Sequence, residues 1–226
     1  MEDSTATIPY SILDRDFYVL LAALTKAFSA VEYGLIISDE IALQLHLISS
    51  YLKRFGLTSI EQVDFNRDLF SAPSFSCLTA SYGNTAANCL TSVEAPGYFR
   101  LGDDLYEVRF ADFNAHKPRF RLIKNGTEIG NTEARIDYSN DSRLVESAST
   151  LELTRENLAI HCLVASPEYI IALALLNDKY ELIRRAKPII DELERDGRFK
   201  YYRLASILGE KNREKFVRFL ARGIRV

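Results

Sequence analysis

YGLIISDEIALQLH, residues 33 to 46, decides how the rest of the chain is read. Tyr33 to Ile37 is an apolar run too short for a helix. It stops at Ser38-Asp39-Glu40, a hydroxyl followed by two acids, which is the pattern of a helix N-terminus. The reading is a buried strand that runs straight into a helix from about Asp39 to Arg54, with Ile41, Leu45, Ile48 and Leu52 on one face and Gly56 as its stop. Upstream, Phe17, Leu20, Leu21, Leu24 and Phe28 recur at helical spacing and predict an amphipathic helix from Ser11 to about Ala30. Downstream, Ser59 to Phe65 predicts a second strand. Alternation would put Ile60, Gln62 and Asp64 on one side of it and Glu61, Val63 and Phe65 on the other.

Residues 66–104 are rich in Ser, Ala and Asn, with turn signals at Ala95-Pro96-Gly97 and Gly102-Asp103-Asp104, and read as an insertion with a short helix over Ala86 to Ser92. Strands are expected at Leu105 to Phe110, Pro118 to Lys124, Ala134 to Tyr138 and Leu158 to Val164, with Asn125-Gly126 as a hairpin turn. After residue 165 the texture becomes helical. Ser166-Pro167-Glu168 is a cap, a first-turn proline and a first-turn acid, opening a helix to about Ala186 that Pro188 then breaks or restarts. A short helix to Asp196-Gly197 and two basic helices, Tyr201 to Leu208 and Glu210 to Arg222, complete the chain. The expected organisation is an α/β core over 1–165 and a helical segment over 166–226.

With 226 residues and 47% hydrophobic content, the chain has enough apolar material for a real core. No run approaches the ~18 apolar residues of a membrane span, and MEDSTATIPYS lacks the basic-then-apolar order of a signal peptide. Three cysteines without a CxxC pair indicate neither a disulfide framework nor a zinc site. An intracellular, cytoplasmic protein without a membrane partner is expected. Nine of the Lys and Arg residues fall between Arg198 and Val226 against two acids there, a local charge of +7 on a chain of net −3. Such a tail can meet nucleic acid, dock on the acidic body or bind a protein, with Arg213, Arg218 and Arg222 as candidate contacts.

The order helix, strand, helix, strand, insertion, strands, helices resembles the nucleotidyltransferase-fold superfamily, in particular abortive-infection toxins of the AbiEii type and related minimal transferases. YGLIISDEIALQLH resembles that family's strand, small-residue turn and helix. LTSIEQVDF (57–65) resembles the next strand, which carries Asp-x-Asp. ARIDY (134–138) resembles the strand with a third acid, and VASPEYIIALALL (164–176) resembles a Val-Ala-Ser-Pro-Glu motif at the start of a later helix. The resemblance implies a mixed sheet flanked by helices, Mg²⁺ and a nucleoside triphosphate as cofactors, Asp64 and Asp137 as metal ligands, and Ser38, Asp39 and Gln62 facing the nucleotide.

The chemistry explains the pattern: transfer of a nucleotidyl group needs charge on the phosphates offset, and two Mg²⁺ ions on hard carboxylate oxygens do so. Against that requirement the chain is depleted. Gln62 stands where the first acid belongs, Asp39 sets a negative charge at the phosphate turn, and Ala174 replaces a lysine of the helix motif. Each candidate also has an ordinary reading: Asp39 as a helix cap, Asp64 as a cap or turn acid, Asp137 as a surface residue, His46 as a structural histidine. Two functions therefore stand open. One is a pseudoenzyme that binds a protein or RNA partner and needs no cofactor; the other is a divergent enzyme transferring a nucleotide to RNA, protein or a small molecule.

Overall fold

A computed structural model describes residues 8–28, 34–65, 67–79, 97–112, 117 and 119–223. The expected helix over Ala86 to Ser92, Cys89 and His116 lie outside them. In chain order the elements are α1 (Arg15–Phe28), β1 (Leu35–Ile37), α2 (Asp39–Phe55), β2 (Ser76–Thr79), β3 (Gly97–Leu101), β4 (Asp104–Asp112), β5 (Arg119–Lys124), β6 (Thr127–Glu133) and β7 (Arg135–Tyr138). They continue with α3 (Ser142–Ser147), β8 (Ser149–Arg155), β9 (Leu158–Val164), α4 (Pro167–Leu176), α5 (Tyr180–Arg195), α6 (Tyr201–Leu208) and α7 (Arg213–Gly223). The fold is mixed α/β, with two sheets and seven α-helices among the described residues.

One sheet has five strands in the order β7-β2-β1-β9-β8, and the other is an antiparallel meander in the order β3-β4-β5-β6. In the first, β1 runs parallel to β9 and antiparallel to β2, and β2 runs parallel to β7. Helix α1 joins the two sheets. The Tyr18 hydroxyl donates to the carbonyls of Leu153 and Leu158 in the first sheet, Arg15 donates to the Leu101 carbonyl of the meander, and the Tyr106 hydroxyl donates to Asp16. Sequence periodicity predicts one apolar stripe on this helix, yet every residue from Phe17 to Leu24 is buried. A helix that is apolar all round belongs between two layers, and that is where this one lies. Each fully buried Leu or Phe there contributes ~1.5–3 kcal/mol of transfer free energy.

Helix α2 begins and ends as its sequence dictates. Ser38 is its extended N-cap, and Gly56, at φ 64°, ends it with its N–H on the carbonyls of Leu52 and Lys53. Beyond it the expectation of a strand over Ser59 to Phe65 fails. Residues Ile60–Gln62 form a 3₁₀ turn, and the Gln62 amide oxygen accepts the backbone N–H groups of Thr58 and Ser59 at 3.0 and 2.9 Å. Ser-Ile-Glu-Gln is a capping-box sequence, and those local bonds win over a weak alternation. Phe65 then packs edge-on against Tyr51 and Phe70, fixing this segment to α2.

The strand that does follow α2 is β2, inside the stretch read as an insertion, and β3 and β8 are likewise additional to the strands expected from sequence. Pro188 does not break a helix: it lies within α5, on the exposed side. The break comes at Asn177 to Lys179, with Asp178 at φ 53°. There the Asn177 amide donates to the Leu173 carbonyl, and Lys215 Nζ donates to the carbonyls of Leu175 and Leu176. The open carbonyls of α4 are thereby satisfied from outside the helix.

Candidate functional site

The parallel neighbours β1 and β9 both deliver the chain to helix N-termini, α2 after Ser38 and α4 after Ser166, side by side at one end of the sheet. At α4 the Ser166 hydroxyl accepts the Tyr169 N–H at 3.1 Å, as the sequence predicts for a cap. At α2 the arrangement differs. The Ser38 hydroxyl and its backbone N–H both donate to the Ser76 carbonyl, at 3.1 and 3.0 Å, so the side chain is committed to β2. Asp39 takes a left-handed φ of 55° and is half-buried. It places a carboxylate next to Glu40 in the first turn, where it favours the helix dipole and opposes an anion.

Asp64 and Asp137 are not brought together. The 3₁₀ turn that carries Gln62 packs on β8: the Ser59 hydroxyl donates to the Thr154 carbonyl, and Glu61 pairs with Arg155 at 3.3 Å. Asp64 follows it in an exposed loop. Asp137 stands on β7, at the opposite edge of the sheet, where its carboxylate pairs with Arg135 at 2.7 Å. Strands β8 and β7 are four steps apart, about 19 Å at ~4.8 Å per step. Gln62, expected to face a nucleotide, uses its amide oxygen as a cap.

The register shows what lies beside Asp137. It pairs with Leu78, and Arg135 pairs with Ser76, so these four residues share a face of the sheet. Cys77 and Thr79 point to the other side, both buried. The strand after α2 thus reads Ser76-Cys77-Leu78-Thr79 and holds no acid. Among the described residues no group of three or more His, Cys, Asp or Glu side chains is gathered to hold a metal ion. The described residues do not form a two-metal centre.

A recess that sequence reasoning missed lies beside the start of α2. It has a volume of about 330 Å³ and is lined by Glu40 and Gln44 from α2, Leu69 and Ser71, and Arg185 and Ile189 from α5, with other residues. Glu40 pairs with Arg185 at 2.9 Å, and Arg185 also donates to the Ser71 carbonyl at 2.8 Å. Burial raises the Glu40 pKa, and the Arg185 charge works against that rise. Gln44 is 1% exposed and its amide oxygen has no hydrogen-bond partner. The i, i+4 spacing of Glu40 and Gln44, which sets both on one face of the helix, was the available signal. The recess offers a hydrogen-bond acceptor beside a neutralised pair.

His46 is structural. Its Nε2–H donates to the Ala165 carbonyl at 2.9 Å, and burial lowers its pKa to about 4, so the ring is neutral near pH 7. Glu168, also buried, accepts the Lys200 N–H at 2.7 Å, and desolvation raises its pKa. The basic tail is partly spent within the molecule. Lys215 pairs with Asp178 at 3.0 Å besides capping α4, and Arg198 donates to the Ser49 hydroxyl at 3.3 Å. Arg218 pairs with Glu214 one turn away, and Arg213 is exposed with no ion pair among the described residues. The Arg222 side chain lies outside them.

No family model matches the chain, and no curated protein matches it. Among solved structures, the Megavirus polyadenylate synthase is similar at 11% identity and a TM-score of 0.37, with all of this chain covered. The chain spans 45% of that protein's chain. At that score the likeness carries no argument about what this protein does.

Proposed function

We propose that the chain is a binding protein built on a nucleotidyltransferase-like core whose metal positions are depleted, and that it works by engaging a protein or nucleic-acid partner. The observation that carries this reading is the neighbourhood of Asp137: its paired strand is Ser76-Cys77-Leu78-Thr79, without an acid, and its carboxylate is already held by Arg135. Two Mg²⁺ ions bring four positive charges, and one ion-paired carboxylate does not offset them. The kinship itself is supported by the element order, a strand entering a helix through a serine turn and a later strand carrying a lone acid beside the strand that follows that helix.

The test is calorimetric titration of the protein with each nucleoside triphosphate, with and without Mg²⁺ or Mn²⁺, beside the Asp64→Ala/Asp137→Ala variant. The expected result is the absence of any metal-dependent heat that the double variant loses. Metal-dependent binding abolished by that variant would refute the reading and restore the divergent transferase.

A further inference from the structure

The outer face of the meander carries a diagonal row of arginines that the fold does not require. One face of this sheet is core: Phe99, Leu101, Tyr106, Val108, Phe120 and Leu122 are buried. On the other face, Arg109 of β4 is directly opposite Arg121 of β5 in the register, with Arg119 two residues along β5 and Arg100 on β3. Cβ atoms of opposed residues stand ~4.5–5.5 Å apart, and like charges at that separation destabilise a strand pair. Carboxylates relieve only part of this. Glu107 holds Arg109, and Glu133 is shared by Arg119 at 3.4 Å and Lys117 at 3.9 Å. Arg121 faces Asn131 on its other side, and neither Arg121 nor Arg100 has an ion pair among the described residues. Glu128 also lies on this face, and Asp112 of β4 is opposite Arg119 in the register.

Between Arg100 and Arg109 in this row stands Tyr98, 60% exposed, the second most exposed large apolar side chain among the described residues. Its cross-strand partner is Glu107, whose side chain lies mostly covered. Arginine forks match phosphate oxygens two at a time, and an exposed aromatic ring flanked by them gives a base a surface to stack on. An acidic peptide would use the charges and leave Tyr98 unexplained.

We propose that this face binds single-stranded nucleic acid, with Arg109, Arg121 and Arg119 on consecutive phosphates and Tyr98 beneath a base. The proposal deepens the binding reading above by naming a surface and a partner class, and the two fail separately: nucleotide titration tests that one and strand binding tests this one. Arg121 is here a functional residue placed at a cost to the sheet, so its removal separates function from stability.

The experiment is fluorescence anisotropy of a labelled, mixed-sequence 15-nucleotide RNA with the full chain at several salt concentrations. Variants are Arg109→Gln/Arg121→Gln and Tyr98→Ala, with Arg213→Gln/Arg218→Gln as the tail control. The double meander variant is expected to flatten the log K against log salt slope by about 1.4, from ~0.7 per single-strand phosphate contact, while melting at or above the parent temperature. Tyr98→Ala is expected to weaken binding about tenfold with little change in slope. Three results overturn the proposal: no binding at low salt, binding lost only in the tail control, or displacement of the RNA by polyglutamate at equal charge. Loss of binding together with a lowered melting temperature in the arginine variant also overturns it, because the arginines would then be structural.

Discussion

Acid should unfold this protein through His46, and the size of the effect can be worked out from the structure. The ring is buried, its Nε2–H is bonded to the Ala165 carbonyl, and its pKa is about 4 against an ordinary 6.5. The native pKa lies below the unfolded one, so between those values the unfolded chain binds a proton that the native chain refuses. The stability contributed by the neutral ring is therefore full above about pH 6.5 and is lost as the pH falls toward 4. At about pH 5 the loss relative to about pH 7.5 is about 2 kcal/mol, from 1.36 kcal/mol per pH unit over the part of the window already crossed. Glu40 and Glu168, with raised pKa values, act in the opposite sense, so the parent's total pH dependence does not isolate the histidine. The His46→Gln variant does, because a glutamine amide donates to the same carbonyl and does not titrate. Urea unfolding at the two pH values should show the parent losing about 2 kcal/mol more than the variant. Equal losses in the two proteins would refute the assignment of a neutral, buried His46.

Three further outcomes follow from the geometry. Gln62→Ala should cost about 1 kcal/mol in thermal or urea unfolding, by removing the acceptor for two N–H groups, and should leave any nucleotide binding unchanged; altered binding would return Gln62 to a ligand site. Lys215→Met should lower stability by about 1 kcal/mol and raise amide exchange across residues 213–223, since its ammonium holds α7 to the end of α4. Gly56→Ala should cost about 1 kcal/mol from backbone strain alone, because φ is 64° and a Cβ there meets nothing within 4 Å; a neutral result in unfolding experiments would contradict the left-handed cap.

The sequence was most legible where a local interaction and the global fold agree. Ser166-Pro167-Glu168 marks a helix start through a bond to Tyr169, while Ser38-Asp39-Glu40 and Asn125-Gly126 mark a helix start and a hairpin turn whose side-chain bonds reach Ser76 and Asp104 with Leu105; all three stand in the structure. It was misleading where two local codes competed. Ile60 to Phe65 alternates weakly and also carries a capping box, and the box wins because its hydrogen bonds are certain while a strand there would have needed a neighbour. Asn177-Asp178 outranks Pro188 as a breaker because Lys215, distant in sequence, stabilises the freed carbonyls. Strand β2 escaped notice because Ser76-Cys77-Leu78-Thr79 is strand-like only once β1 and β7 flank it. The recess beside Glu40 and Gln44 left only that i, i+4 pair as a sign in the sequence, since its far wall comes from residues 184–189.

The position of α1 between the sheets has a consequence for how the molecule is made. Its residues 15–28 are synthesised some 80 to 140 positions before Leu101, Leu153, Leu158 and Glu156, groups that cover them. Until then this buried helix lacks the partners that the two sheets give it. Contacts of such long sequence separation slow the search for the native state, and a nascent chain stalled before β9 is the form of this protein most exposed to aggregation and most in need of a chaperone.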